Sequence, residues 1–434
     1  MKFITEISAR TSETVQQGEQ RVAQATLNSQ TPSGQVVIPA SEATARPAPR
    51  RIVSVGFAAP RTVGWFSYTE GELAEHQFDL DTLYSGISAG TELTQYRGSN
   101  PYLHARWDEH LKLFLYEGTG AYEGAGVGGT AQAYPVRFTG YMEVGRVVAS
   151  RAAGVREGDV LCMAYGHKSG HRADARTAFF VRLPEGLDPI LGIYVAQMGP
   201  ICANGILHAD EDLLGEHVTR LGESLRGRNV AVFGAGVVGL LTAMMARWAG
   251  AAQVAVVDRA PDRLAVAARL GMIPVNTAEG DAAVYLKQLW QTGDPDDRGA
   301  DVAFQCSGSD YLLNLAFNSV RPQSTVVDLG FYQGGAPNLR LGEAFHHNGL
   351  RHVCAQIRRV PRRLAGTWNR NRLALETISF LRECGQAIRE HLITHVVPFA
   401  EAPAIFDALD RGQSSIIQAV LYPGDLNTLR TLSI

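Results

Sequence analysis

Residues 229–239 read NVAVFGAGVVG. The first half, NVAVF, is a near-continuous apolar run, the pattern of a parallel strand covered on both faces. The second half, Gly234-Ala235-Gly236-Val237-Val238-Gly239, opens the stretch VVGLLTAMMARWAGA, which has the length and periodicity of a helix. Strand, glycine turn and helix in that order form a turn built for phosphate. Gly234 permits the sharp bend, and Gly236 lets the backbone approach a pyrophosphate with no Cβ in the way. Gly239 allows close packing of helix on strand. Free amides at the helix start, at Val237 and Val238, combine with the helix dipole to hold negative oxygens.

Outward from this turn, the next apolar run, QVAVVD, ends in Asp258, about 20 residues past the glycines, where an acidic side chain reaches a ribose. A carboxylate there accepts hydrogen bonds from both ribose hydroxyls and repels a 2′-phosphate, which selects NAD over NADP. Arg259 and Arg263 lie close by and are able to tolerate a phosphate, so NADP stays an alternative. A second helix, APDRLAVAARLGM, and further strands, DVAFQCSG and TVVDLGFY, continue an alternating βαβ series. The expectation is an α/β fold with a doubly wound parallel sheet, a Rossmann nucleotide-binding domain, over residues 206–389. Ser307 and Gly330, in those last two runs, complete the expected cofactor-binding set.

Upstream the pattern changes. RIVSVGFA, TVGWFSYT, DTLYSGIS, EVGRVVAS and GDVLCMAYG are short β-rich runs separated by turn residues, and they mark a β-rich domain over residues 51–205. The closing LITHVVPF, AEAPAIFDALDRG and IIQAVLYP, within residues 390–434, are expected to pack back on that domain. Residues 1–50, rich in Ala, Ser, Thr, Gln and Pro, read as an N-terminal extension with little core of its own. The glycine-dense stretch from Gly118 to Gly129 reads as a loop, either a surface loop or a mobile lid.

Bulk properties exclude several function classes. Forty basic against 43 acidic residues give a net charge of −3, which does not suit nucleic-acid binding. No apolar run has the roughly 20 residues needed to span a bilayer. The N-terminus turns polar within a few residues and lacks a signal-peptide stretch, so a cytoplasmic location is expected. Five scattered cysteines include no C-x-x-C pair, against both a disulfide framework and a structural zinc lobe.

With these pieces in order, the chain resembles the medium-chain dehydrogenase/reductase superfamily of zinc-type alcohol dehydrogenase-like proteins. The likeness runs from Arg51 to the end and includes SGISAGTEL, TGYMEVGRVV and the closing ALDRG and IIQAVLYP. It implies a GroES-like catalytic domain facing the Rossmann domain across a cleft, a small-molecule substrate and a homodimer. It also implies a catalytic zinc, and here the chain departs from the family. Ser88 or Ala89 stands where a cysteine ligand is usual, Tyr141 takes the histidine position, and the third segment offers only Cys202, one position displaced. Catalytic zinc needs about three protein ligands, so no metal site is expected. The patterns most resemble a zinc-lacking branch that includes bacteriochlorophyllide dehydrogenases.

Without zinc, another group must meet the substrate oxygen. Tyr141, at the lost ligand position, is either a phenol donor to that oxygen or a filler of the zinc void. Thr91 matches the family hydroxyl that begins a proton relay, with a plain loop threonine as the alternative. Glu92 is expected to hold a nearby arginine or backbone N–H. The loop Tyr165–His171 offers Lys168 to polarise a carbonyl and His167 or His171 to relay a proton. His346 and His347 read as cleft-rim or interface residues, and the run Arg358, Arg359, Arg362, Arg363, Arg370 and Arg372 as a solvated or interface face, or a guide for an anionic substrate. The expected function is zinc-independent hydride transfer between NAD(H) and a secondary alcohol or ketone, in a specialised biosynthetic step. The alternatives are an NADPH-dependent enoyl or quinone reductase and a nucleotide-binding homologue without catalysis.

Overall fold

A computed structural model describes residues 49–116 and 131–433, so nearly all of the N-terminal extension, and the glycine-dense stretch, lie outside the described residues. The chain begins with β1 (Arg50–Ala59) and β2 (Thr62–Glu70), paired antiparallel from Arg50 opposite Glu70 to Ala59 opposite Thr62. Next come β3 (Gln77–Gly86), helix α1 (Ala89–Arg97) and a small hairpin of β4 (Arg106–Asp108) and β5 (Leu113–Leu115). The strands β6 (Glu143–Ser150), β7 (Val160–Met163), β8 (Gly170–Asp174) and β9 (Val181–Arg182) complete the first β-rich part. The run DTLYSGIS is strand only as far as Gly86. Its polar continuation turns at Ser88 into α1, a helix too short and too weakly amphipathic to be seen by periodicity.

Helix α2 (Met198–Leu214) leads into the nucleotide-type unit, whose strands are β10 (Asn229–Phe233), β11 (Gln253–Asp258), β12 (Ile273–Asn276), β13 (Ala300–Gln305), β14 (Val320–Asp328) and β15 (Arg351–Cys354). Their spatial order is β12-β11-β10-β13-β14-β15, and every pair is parallel. Strand order therefore reverses between β10 and β13, which opens a crevice at the carboxyl ends of those strands. The intervening helices are α3 (Val237–Trp248), α4 (Pro261–Arg269), α5 (Ala282–Leu289) and α6 (Asp310–Ser319). Asp281 and Ser309 cap α5 and α6 through side-chain oxygens, whereas α3 starts at Gly236 with no side-chain cap. The first-turn amides of α3 are thus left without an acceptor of their own.

The long helix α7 (Arg370–His391), capped by Asn369, returns the chain to the first sheet. There β16 (Ile393–Pro398) lies parallel to β17 (Gln418–Tyr422), and β17 pairs antiparallel with β3. Helix α8 (Ala402–Asp410) joins those two strands, and β18 (Thr431–Ser433) adds to β2. The sheet β16-β17-β3-β6-β7-β9 is therefore assembled from both ends of the described chain. One apolar cluster runs from Met142 and Val144 through Cys202 to Val230, Val232 and Phe380, so the two sheets share a core beside the crevice. Among the described residues no helix is long and apolar enough to cross a membrane.

Candidate active site

The fingerprint turn has the backbone its glycines require. Gly234 sits at φ +101°, a region that L side chains rarely adopt. A Cβ on Gly239 would lie 1.8 Å from the Gly234 carbonyl oxygen, whereas one on Gly236 would meet nothing within 4 Å. The first glycine makes the bend, the last permits contact between helix and turn, and the middle one faces open space above the amides of Val237 and Val238. Ser307 and Gly330 follow the ends of β13 and β14 at the same crevice. A Cβ on Gly234 would lie 3.0 Å from that of Ser307, and one on Gly330 only 2.3 Å from the Ser307 carbonyl.

Asp258 ends β11 beside this turn and is 8% exposed. Its carboxylate accepts from the backbone N–H of Ala235 at 2.6 Å, Arg259 at 2.7 Å and Ala260 at 2.9 Å. About four lone-pair sites exist on a carboxylate, so most are already filled, and Asp258 ties the glycine turn to β11. Arg259 is exposed. Arg263 instead turns away, donating to the carbonyls of Ser414 at 3.1 Å and Ile416 at 3.3 Å, so its donors serve the join with the segment before β17.

The second half of the site comes from the β-rich part. Tyr141, just before β6, places its hydroxyl against Ser88 Oγ in a short hydrogen bond and 3.4 Å from Thr91 Oγ1. Burial holds the phenol above its ordinary pKa. The Ser88 and Thr91 hydroxyls partly oppose that shift, and the nearby Glu92 carboxylate adds to it. Cys202, in the first turn of α2, is fully buried, with Sγ 3.6 Å from the Val238 carbonyl. Tyr141, Cys202 and the fingerprint helix are thereby neighbours.

Glu92 and His167 lie beneath Tyr141. Glu92 Oε1 accepts the Ser88 N–H at 2.7 Å, while Oε2 is 2.7 Å from His167 Nε2. His167 Nδ1 is 2.6 Å from Ser85 Oγ, which lies 3.0 Å from Glu143 Oε1, and Glu143 Oε2 accepts the Tyr165 N–H at 2.7 Å. Burial alone would depress the imidazole, but the Glu92 and Glu143 carboxylates together outweigh it and hold His167 above its ordinary pKa. Burial likewise raises Glu143.

The expected single loop of catalytic groups is thus divided. His167 and Lys168 are consecutive in an extended segment and point to opposite sides. His167 is fully buried with both ring nitrogens bonded, so it presents no free nitrogen to a substrate. Lys168 Nζ is 2.9 Å from His171 Nδ1 and lies over the rings of Phe138 and Tyr165, at 5.4 and 5.6 Å. Burial brings the Lys168 amine down to about 8 and, with the Lys168 charge, the His171 imidazole to about 3. Among the described residues neither Lys168 nor His171 forms a hydrogen bond or ring contact with Tyr141, Ser88 or Thr91.

The other candidates also find places. His346 and His347 are exposed ahead of β15. Arg370 stacks 4.1 Å over Phe179 and donates to Gln197 Oε1 at 2.8 Å, and Arg372 lies 3.6 Å over Trp368, so these two cations are structural stacks. Ser88 was visible in the sequence only as a missing cysteine. Its role as partner of Tyr141 needs the turn between β3 and α1, and spacing does not show that turn.

The resemblance implies zinc ligands at Ser88 or Ala89, at Tyr141 and one position from Cys202, and of these residues Cys202 alone is of a type that ligates zinc. Among the described residues no group of three or more His, Cys, Asp or Glu side chains is arranged to hold a metal. The donor set does not fit catalytic zinc.

Residues 237–357 match the family described as Zinc-binding dehydrogenase. The chain is 29% identical over 197 residues to "Probable D-xylulose reductase A" of Arthroderma otae, covering 45% of this chain and 51% of that protein. It is 25% identical over 354 residues to D-guloside 3-dehydrogenase of Shigella flexneri, covering 80% and 92% respectively. The chain spans 51–62% of the length of the first relatives it matches. Among solved structures, 2R,3R-butanediol dehydrogenase from Bacillus subtilis superposes with a TM-score of 0.63 at 18% identity, over 86% of this chain and all of that one. Neighbours of the same fold include one from Sinorhizobium meliloti bound to NADP and one from Escherichia coli complexed with NADH. The shared fold is a GroES-like domain joined to a Rossmann domain, and the likeness to zinc-type alcohol dehydrogenase-like proteins is a similarity over the stretches matched.

Proposed function

We propose that this chain transfers hydride between NAD(H) and a secondary alcohol or its ketone without zinc, with Tyr141 as the group that meets the substrate oxygen. The observation that carries the proposal is the Tyr141 hydroxyl, held by Ser88 and Thr91 and adjoining, through Cys202, the fingerprint helix. Gly234, Gly236, Val237, Val238, Gly239, Asp258, Ser307 and Gly330 would hold the nicotinamide dinucleotide, which supplies the hydride donor or acceptor when bound. A phenol held protonated by its surroundings is a donor, so Tyr141 suits a carbonyl oxygen in the reducing direction. As the carbonyl carbon gains hydride, its oxygen gains negative charge, and the phenol proton passes to it. Ser88 and Thr91 keep the phenol oriented through the exchange. The relatives named for xylulose, guloside and butanediol chemistry make polyols and vicinal diols the first substrates to screen.

Asp258 supports NAD, and its replacement tests that choice. Asp258→Ser is expected to weaken NADH binding about tenfold and bring NADPH within reach of it, measured by fluorescence titration of both. Unchanged preference would return the discrimination to Arg259. Zinc independence has its own check. Turnover is expected to persist after exhaustive dialysis against a chelator, with less than stoichiometric zinc by elemental analysis. Loss of activity restored by zinc would mean that Cys202 takes part in a site the donor set does not reveal.

A further inference from the structure

We infer that His167 is a positioning residue that fixes the Tyr141 phenol from below and never meets the substrate. The inference rests on the reading of Tyr141 as the group at the substrate oxygen. Three contacts lead from His167 to that phenol. The His167 backbone N–H donates to the Thr139 carbonyl at 2.8 Å, two residues before Tyr141. The imidazole packs against Gly140, at φ +94°, where a Cβ would come within 2.7 Å of the ring. The third contact runs through Glu92, which grips His167 with one oxygen and the Ser88 N–H with the other, while Ser88 Oγ bonds the phenol.

Proton accounting shows why a histidine suits this place. Ser85 Oγ lies between His167 Nδ1 and Glu143 Oε1 but carries one proton. If His167 is an imidazolium, Nδ1–H donates to Ser85 and Ser85 donates to an ionised Glu143. If the proton sits on Glu143, that acid donates to Ser85 and Ser85 donates to a neutral Nδ1. Both arrangements satisfy every group. A neutral His167 beside two ionised carboxylates leaves one buried acceptor without a donor, which is costly. In both satisfied arrangements Nε2–H still points at Glu92, so Glu92 stays an acceptor for Ser88. The grip on Tyr141 is therefore independent of where the shared proton rests. His167 and Glu143 are fully buried and Glu92 is 1% exposed, so bulk solvent does not reach these links.

A double-mutant cycle between His167→Ala and Tyr141→Phe tests the inference, using the fastest alcohol of the polyol and diol screen together with NADH titration. His167→Ala is expected to lower kcat roughly a hundredfold, the loss that a displacement of about 1 Å brings, with KM and the NADH Kd near their original values. In the Tyr141→Phe background the same substitution is expected to cost nothing further, because its effect passes through the phenol. Rescue by His167→Gln, which keeps a donor for Glu92 and an acceptor for Ser85, is the expected conservative control. Equal losses in both backgrounds overturn the inference. Full turnover of Tyr141→Phe alone overturns instead the reading on which it rests. A crystal structure of the His167 variant supplies a readout free of turnover. The Tyr141 hydroxyl is expected to leave Ser88, and a phenol still bonded to Ser88 and within reach of Thr91 contradicts the inference. Should His167→Ala fail to fold, His167→Asn, polar but too short for Glu92, carries the same cycle and the same crystal test.

Discussion

Replacing Tyr141 by phenylalanine is expected to cut ketone reduction by about a hundredfold or more, the contribution of a well-placed general acid, while the NADH Kd stays within about twofold. The ring remains to fill its space among Ser88, Thr91 and Cys202, so the loss isolates the hydroxyl. Such a fall is about 2.7 kcal/mol of transition-state stabilisation at 1.36 kcal/mol per tenfold, within the range of a single proton donor. The pH profile carries the sign. Burial raises the phenol, with Glu92 adding to the shift, and the donor form persists through neutral and mildly alkaline pH. Reduction is therefore expected to stay flat over that range, and oxidation, which needs the proton removed, to rise with pH. In Tyr141→Phe the rise in oxidation should vanish. Turnover unchanged in both directions would reduce the residue to a space-filler.

The second large effect separates two glycines of one turn. Gly239→Ala drives a Cβ to 1.8 Å from the Gly234 carbonyl, a contact no rotamer relieves. It is expected to cost about 1–3 kcal/mol of stability, as overpacking does, and to abolish measurable NADH binding by prying α3 from the turn. Gly236→Ala meets nothing within 4 Å. It should leave the unfolding midpoint unchanged yet weaken NADH at least about tenfold, because its methyl occupies the space where the backbone approaches a pyrophosphate. Thermal melts and NADH titrations on the two variants check the contrast. Equal destabilisation by both would mean that Gly236 serves the fold and not a ligand.

Much of this arrangement was legible from pattern alone. Parallel strands covered on both faces are written as unbroken apolar runs, and β10 and β11 match NVAVF and QVAVVD, whereas the run DVAFQCSG overshoots β13, which ends at Gln305. The fingerprint was readable because each glycine answers a backbone demand set by its immediate neighbours. The limits were of two kinds. In TVVDLGFY the strand stops at Asp328, whose carboxylate accepts the Gly330 N–H at 2.7 Å and breaks the ladder, an event that apolarity does not record. In the loop Tyr165–His171 composition alone suggested one catalytic cluster. Alternation along the extended chain sent His167 inward to Glu92 and Lys168 outward to Phe138. Which side each residue takes depends on the partner strand, and a bridge from Ser54 to Lys168, more than a hundred residues apart, sets it.

Because β17 pairs with β3, the β-rich sheet closes only after the chain has made the whole nucleotide-type unit. The polypeptide consequently passes between the two sheets twice, once along α2 and once where α7 gives way to β16. The two sheets are thus tied at two places along the chain as well as through their common core, and Arg263, donating to the Ser414 and Ile416 carbonyls, adds a cross-tie beside the second passage.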